Sequence, residues 1–224
     1  MSVTTQQLYD KTKRILDGEA ISENTFIDFL NVVKNKREAE RRWQFLMRED
    51  SSQTASAGDN YLNMKTLPTD FALDYKIFVG DSLIEYLPTP FEERRFYRDS
   101  AKRYYIDFRN GQFALTGTGE SGSIYLIYFA FTADVVAIGD TFPTAWPDRF
   151  TPILSFDVAA MFRGGVDFDS ENARMSSENR FAAKQLYDAM ISWNNLLILR
   201  SMNHSARPTQ INISTHPNVP NISW

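Results

Sequence analysis

The chain predicts an α+β fold. Helices from its two ends pack as a bundle, an antiparallel β-sheet or barrel is inserted between them, and an extended arm closes the chain. Three observations predict this. Apolar residues recur at helical spacing before about residue 48 and after about residue 149, and at a spacing of two between them. Asn110-Gly111 separates "YYIDF" from "QFALT", and Asn-Gly between alternating apolar residues is a strong hairpin signal. Beyond the last helical stretch, Ser201 to Trp224 loses the helical period and is broken by Pro208, Pro217 and Pro220, which forbid helix and favour extended chain. The expected organisation is helices over 1–50, a β insertion over 59–142, helices over 147–200 and an arm over 201–224.

Each element has a local reason. Leu8, Ile15 and Leu16 mark a short amphipathic helix stopping at Gly18. Ser22 is the expected N-cap of a long helix reaching Met47, with Phe26, Leu30 and Val33 on one face and Ala39, Trp43 and Leu46 on another. The net basic run from Lys34 to Arg48 predicts a solvated helix face with side-by-side ion pairs. Residues 51–60 are polar and predict a loop. Strands are expected over Tyr61–Leu67 and Asp74–Val79, then "LIEYL" after the turn Gly80-Asp81-Ser82. "SIYLIYFAFTADV" is nearly continuous in apolar residues and predicts the centre of the sheet. A helix from about Arg149 to Gly165 tolerates Pro152 in its first turn. The last helix, about Met175 to Arg200, carries Phe181, Leu186, Met190, Trp193 and Leu197 on one side, expected to pack near Trp43 and Leu46.

Composition narrows the function. At 224 residues, with 43% hydrophobic and 23% charged content, the chain supports one sizeable globular core. A net charge of -4 argues against a generic nucleic-acid binder. No apolar run is long enough to span a membrane, so no membrane partner is expected. "MSVTTQQLYDKTKR" lacks a signal-peptide core, so synthesis in a cytoplasm is expected. The absence of cysteine removes disulfides, thiolate nucleophiles and Cys-based zinc sites. Both histidines, His204 and His216, fall on the arm, which disfavours a Ser-His-Asp site needing a rigidly held imidazole.

Several motifs carry competing readings. Gly117 to Gly122 matches G-x-G-x-x-G, but a strand rather than a helix is expected to follow, so the glycines read as a hairpin tip. Asp167, Asp169, Glu171 and Glu178 occupy acidic positions of a calcium-loop template that has Asn172 where glycine is required; the plainer reading is a turn capping the last helix, and no cofactor or metal is expected. Arg94, Arg95, Arg98, Lys102 and Arg103 interleave with Phe96 and Tyr97, which suits a DNA-channel loop or an inter-subunit contact. On the arm, Ile211, Ile213, Val219, Ile222 and Trp224 need something to bury them, which points to docking on another protein. Paired carboxylates for glycoside hydrolysis stay open among 28 acidic residues.

The ordered segments "AERRWQFLM", "LPTDFALDYKIFV", "RRFYRDSAKRYYIDFRNGQFALTG", "SGSIYLIYFAFTADV", "FTPILSFDVAAMF" and "ENRFAAKQLYDAMISWNN" resemble the head-to-tail connector proteins of tailed bacteriophages, also called adaptor or head-completion proteins. The resemblance implies a non-enzymatic virion protein of the neck. It implies a homo-oligomeric ring, commonly of twelve copies, bound to the portal protein and to a tail or nozzle protein, with double-stranded DNA passing through. It also implies a C-terminal arm reaching onto the portal or an adjacent subunit. The rival expectations are a tail-associated peptidoglycan hydrolase and a small-ligand-binding module.

Overall fold

The computed structural model describes residues 3–80, 84–93, 102–116, 121–165 and 170–205. Helix α1 (Thr5–Leu16) starts in a capping box. The Thr4 side chain accepts from the Gln7 amide and the Gln7 side chain accepts from the Thr4 amide. Helix α2 (Glu23–Ala39) is capped by Ser22, as expected, and buries Phe26, Leu30 and Val33.

The helix does not continue to Met47. It stops at Ala39, and Gln44–Leu46 form a 3-10 turn. Tertiary contacts override propensity here. Trp43 is fully buried and its indole N–H donates to the Arg37 carbonyl at 2.7 Å, satisfying a terminal carbonyl of α2. The Gln44 amide donates to Asn194 Oδ1 at 2.8 Å.

The chain then enters strand β1 (Met47–Ala55), which occupies much of the stretch expected to be a loop. Its sequence, "MREDSSQTA", lacks alternation because it is an edge strand largely exposed on both faces. The remaining strands are β2 (Lys65–Thr66), β3 (Phe71–Val79), β4 (Ile84–Pro88), β5 (Arg103–Asp107), β6 (Gln112–Thr116) and β7 (Gly122–Ala130). The expected strand over Tyr61–Leu67 shrinks to β2. The sheet order is β1-β7-β3-β4-β5-β6-β2, with β7 near the centre of the β1–β7–β3 half.

Among the described residues every ladder is antiparallel except β4–β5, which pairs parallel at Leu87↔Arg103 and Pro88↔Tyr104, so the sheet is mixed. Side chains bridge its two edges. Gln53 Nε2 donates to the Thr66 carbonyl, and Lys65 Nζ donates to the Thr54 carbonyl at 2.8 Å. The sheet therefore curls into a nearly closed barrel whose seam is stitched by side chains. A glycine pair permits one tight crossing: a Cβ on Gly122 (φ +139°) would lie 2.9 Å from Gly80 Cα.

After the sheet, α3 (Pro152–Gly165) packs between α1, α2 and α4 (Ser170–Ser205). At 36 residues α4 outruns its expected length at both ends, so Ser201–Ser205 are helix rather than arm. The expected packing of the two chain ends is met with a change of partner. Phe45 stacks on Trp193 (centroids 6.2 Å apart), and Trp43 meets Tyr187 edge-on at 5.8 Å. Two apolar cores result. One joins Leu16, Phe26, Leu30, Trp43, Leu154 and Val158; the other joins Ile77, Val79, Phe113, Leu115, Ile124 and Leu126 inside the barrel.

Candidate functional site

The junction between the two cores is densely hydrogen-bonded. Residues three and four apart on α2 share a face, and Asn31, Lys34, Asn35 and Glu38 all turn toward the segment leaving β7. Lys34 is fully buried; its Nζ donates to the Thr132 carbonyl (2.9 Å), Thr132 Oγ1 (3.2 Å) and the Ala133 carbonyl (3.2 Å), and lies 3.3 Å from the Asp134 carboxylate. Glu38, also buried, accepts from the Thr132 amide (2.9 Å), Thr132 Oγ1 (2.5 Å) and Trp146 Nε1 (2.7 Å). Asn31 accepts from the Val135 amide and donates to the Val135 carbonyl, both at 2.9 Å, as a neighbouring strand would. The Asp140 carboxylate takes the amides of Val136 and Ala137. Backbone groups that a loop normally leaves to water are thus bound to protein. The segment is braced, yet the Val136 side chain stands 83% exposed.

The sheet continues this junction. Arg48 on β1 pairs with Asp70 at 2.5 Å, and Asp70 accepts from the Tyr128 hydroxyl at 2.9 Å. Burial, reinforced by that carboxylate, pushes the Tyr128 phenol up to about 12. Tyr104 donates to Asp74, and burial together with this bond raises its pKa too. A cleft of about 550 Å³ opens here, lined by Asn35, Arg48, Asp70, Thr132 and Asp134. Its charged groups are already paired, which fits a fixed contact surface better than a proton-transfer site. Among the described residues no cluster of three metal-ligating side chains exists.

The opposite side of α2 carries a second feature. A groove of about 510 Å³ runs between α2, α3 and α4, lined by Val32, Lys36, Met161 and Arg180 among others. Arg37 forks onto Asp157 across it, Nε to Oδ2 at 2.8 Å and Nη2 to Oδ1 at 2.9 Å. This pair holds α2 on α3. Burial opposes the Arg37 charge, but the bonds to Asp157 and Glu40 outweigh it and raise the pKa.

The residues singled out from the sequence fall mostly elsewhere. Arg94, Arg95, Phe96, Tyr97 and Arg98 lie outside the described residues, as do Ile211, Ile213, Val219, Ile222 and Trp224. Arg103 is on β5, with Nη1 3.4 Å from Thr89 Oγ1, and Lys102 immediately precedes that strand. Asp167 and Asp169 are also outside, but Glu171 and Glu178 are both on α4, which begins at Ser170. A helix starting at the fourth template position replaces the loop that calcium needs, and Glu178 pairs with Arg174. Strand β7 begins at Gly122 itself, so the helix required by the dinucleotide motif is absent there.

The junction residues Lys34 and Glu38 were missed, because the Lys34–Arg48 run read as solvated. That reading is corrected: both are buried. A signal was present, since Leu30, Lys34 and Glu38 continue one stripe at a spacing of four, so the core face passes into charged residues without changing direction.

Comparison with known proteins adds the remaining evidence. No curated protein matches the chain. The family model for the SU10 adaptor protein matches residues 3–209, which takes in both helical ends and the whole sheet. Among the described residues no helix is long and apolar enough to cross a membrane. The match agrees with the resemblance read from the ordered sequence segments, and the chain belongs to the SU10 adaptor protein family, a family of phage head-tail adaptors.

Proposed function

We propose that this chain is a ring-forming head-to-tail connector, joining the portal to the tail at the virion neck and lining the channel through which DNA leaves. The carrying observation is the family match over residues 3–209, since it spans the helical body and the barrel together. A braced junction between two cores supports it, because a spacer that transmits force needs its two halves held in one orientation. The proposal takes a ring of twelve copies and a non-enzymatic role. It assigns Ile211, Ile213, Val219, Ile222 and Trp224 to docking on the portal or a neighbouring subunit, and Arg94 to Arg103 to the channel or an inter-subunit contact.

The test is reconstitution. Native mass spectrometry and electron microscopy of the purified chain with its cognate portal should show closed rings capping the portal. A variant truncated after Ser205 should keep the melting temperature of the full chain but attach poorly, because the described cores end before residue 206. A full-length chain that never binds portal, or that clears peptidoglycan in a zymogram, would overturn the reading.

A further inference from the structure

The braced segment after β7 and the groove beside α3 lie on opposite sides of one helix. Successive residues of an α-helix are about 100° apart. On that spacing, the mean direction of Asn31, Lys34, Asn35 and Glu38 differs by roughly half a turn from that of Val32, Val33, Lys36 and Arg37. The first set grips the braced segment. The second lines the groove.

The two features are complementary. The braced segment presents an apolar–acid–apolar series: Phe131 is 39% exposed, the Asp134 side chain 60% and Val136 83%. The groove presents Val32 and Met161, both exposed, beside Lys36 and Arg180, neither of which has an acidic partner among the described residues. An exposed apolar side chain on a pre-bonded backbone gives up little conformational entropy on docking, which is what makes an efficient anchor.

We infer that the braced segment of one copy seats in the α2–α3–α4 groove of the next, with Val136 against Val32 and Met161 and Asp134 facing Lys36 and Arg180. The occupant is a second copy of this chain, because the apolar and charged complement of each surface is found on the other side of the same subunit. A contact between opposite faces is head-to-tail. Such contacts propagate from copy to copy and close when the rotation between neighbours permits. The inference rests on the ring-forming reading and supplies the contact that reading lacks.

The chain contains no cysteine, so introduced thiols report on one contact alone. The experiment oxidises assembled Val32→Cys/Val136→Cys protein and resolves the products under denaturing conditions. A ladder of covalent multimers is expected from the double variant. A dimer is expected from an equal mixture of the two single variants, and monomer from either single variant alone. Self-linking of Val136→Cys alone would mean a two-fold contact and would overturn the inference. So would rings, seen by native mass spectrometry, whose double variant does not cross-link; in that case the ring-forming reading survives. A chain that stays monomeric with and without portal would sink both. As a second measurement, Val136→Asp, at a site whose side chain has no core contact to lose, should weaken self-association at least tenfold without changing the melting temperature. Lys36→Glu/Arg180→Glu should do the same. Wild-type association by Val136→Asp would overturn the inference without reference to the thiols.

Discussion

Replacing Glu38 with alanine tests the junction directly. The carboxylate accepts three hydrogen bonds, from the Thr132 amide, Thr132 Oγ1 and Trp146 Nε1, in a site only 4% exposed. Its removal leaves at least the Thr132 amide and the Trp146 indole without partners. A buried orphan costs about 1–3 kcal/mol each. Lys34 keeps its own anion, Asp134 at 3.3 Å, so no buried charge is orphaned. The two orphaned donors together cost about 2–6 kcal/mol, or roughly 10 °C in Tm for a chain of this size. Trp146→Phe, which removes one donor and keeps most of the ring, should cost about 1–2 kcal/mol. Glu40→Ala, on the same helix but paired nearer the surface with Arg37, should cost under about 1 kcal/mol. Urea denaturation read by tryptophan fluorescence gives the free energies, and amide exchange at Thr132 gives the local effect. A Glu38→Ala variant within about 1 kcal/mol of wild type, with Thr132 exchange unchanged, would refute the assignment of the junction to this carboxylate.

Alkaline pH should loosen the sheet and the packing of α4, because buried phenols must ionise. Tyr128 and Tyr187 are each pushed up to about 12 by burial and by an adjacent carboxylate, Asp70 and Glu40 respectively, and Tyr104 is raised further. A phenol whose folded pKa exceeds its unfolded value of about 10 stabilises fully below that pH and loses its contribution as pH climbs through the folded value. Stability should therefore fall between about pH 10 and 12, and Tyr128→Phe should flatten the fall; denaturant melts across that range, with phenolate absorbance, check it. At the barrel seam, Gln53→Ala combined with Lys65→Ala should cost about 2–3 kcal/mol, since it removes two seam hydrogen bonds and the part-buried Lys65–Asp59 ion pair. The visible effect should be faster hydrogen exchange confined to β1 and β2; uniform acceleration across the sheet would show that the seam is not a local closure.

What could be read from the sequence follows from how local each cause is. The stop at Gly18, the cap at Ser22, the turn at Gly111 and the apolar run of β7 are set by neighbours within a few residues, so α1, the start of α2, the β5–β6 hairpin and the α–β–α order were legible. Strand β1 was not, because "REDSSQ" becomes a strand only by pairing with β7. The end of α2 was not, because Trp43 is held off the helix by Arg37, and the next residue, Gln44, by Asn194 some 150 positions away. The parallel β4–β5 pair has no local signature at all. The family resemblance was legible because ordered segments along most of the chain carried it. The junction was hidden because charged residues at a spacing of four look alike whether they face water or bury into a loop. The one sequence signal was that Lys34 and Glu38 continue the stripe of Leu30, and the structure shows both buried.

The two chain crossings between helices and sheet lie side by side. The chain enters the sheet at Met47 and leaves it after Ala130, and Met47 pairs with Phe129. Mechanically, two adjacent crossings make a hinge: a barrel hung from one pair of neighbouring strands is free to swing about them. Arg48–Asp70, Tyr128–Asp70 and the Lys34–Glu38 grip on Thr132 all sit at that same end and act as its lock. A pull that separates barrel from helices along the strands would then load the β7–β3 ladder in shear, with its hydrogen bonds resisting together, whereas a sideways push would meet only the lock. The molecule should be stiff against axial force and yield first to torque. Single-molecule pulling between one handle on the helices and one at the far end of the barrel would see this as one high-force event, and loss of Glu38 should leave that force unchanged while easing rotation.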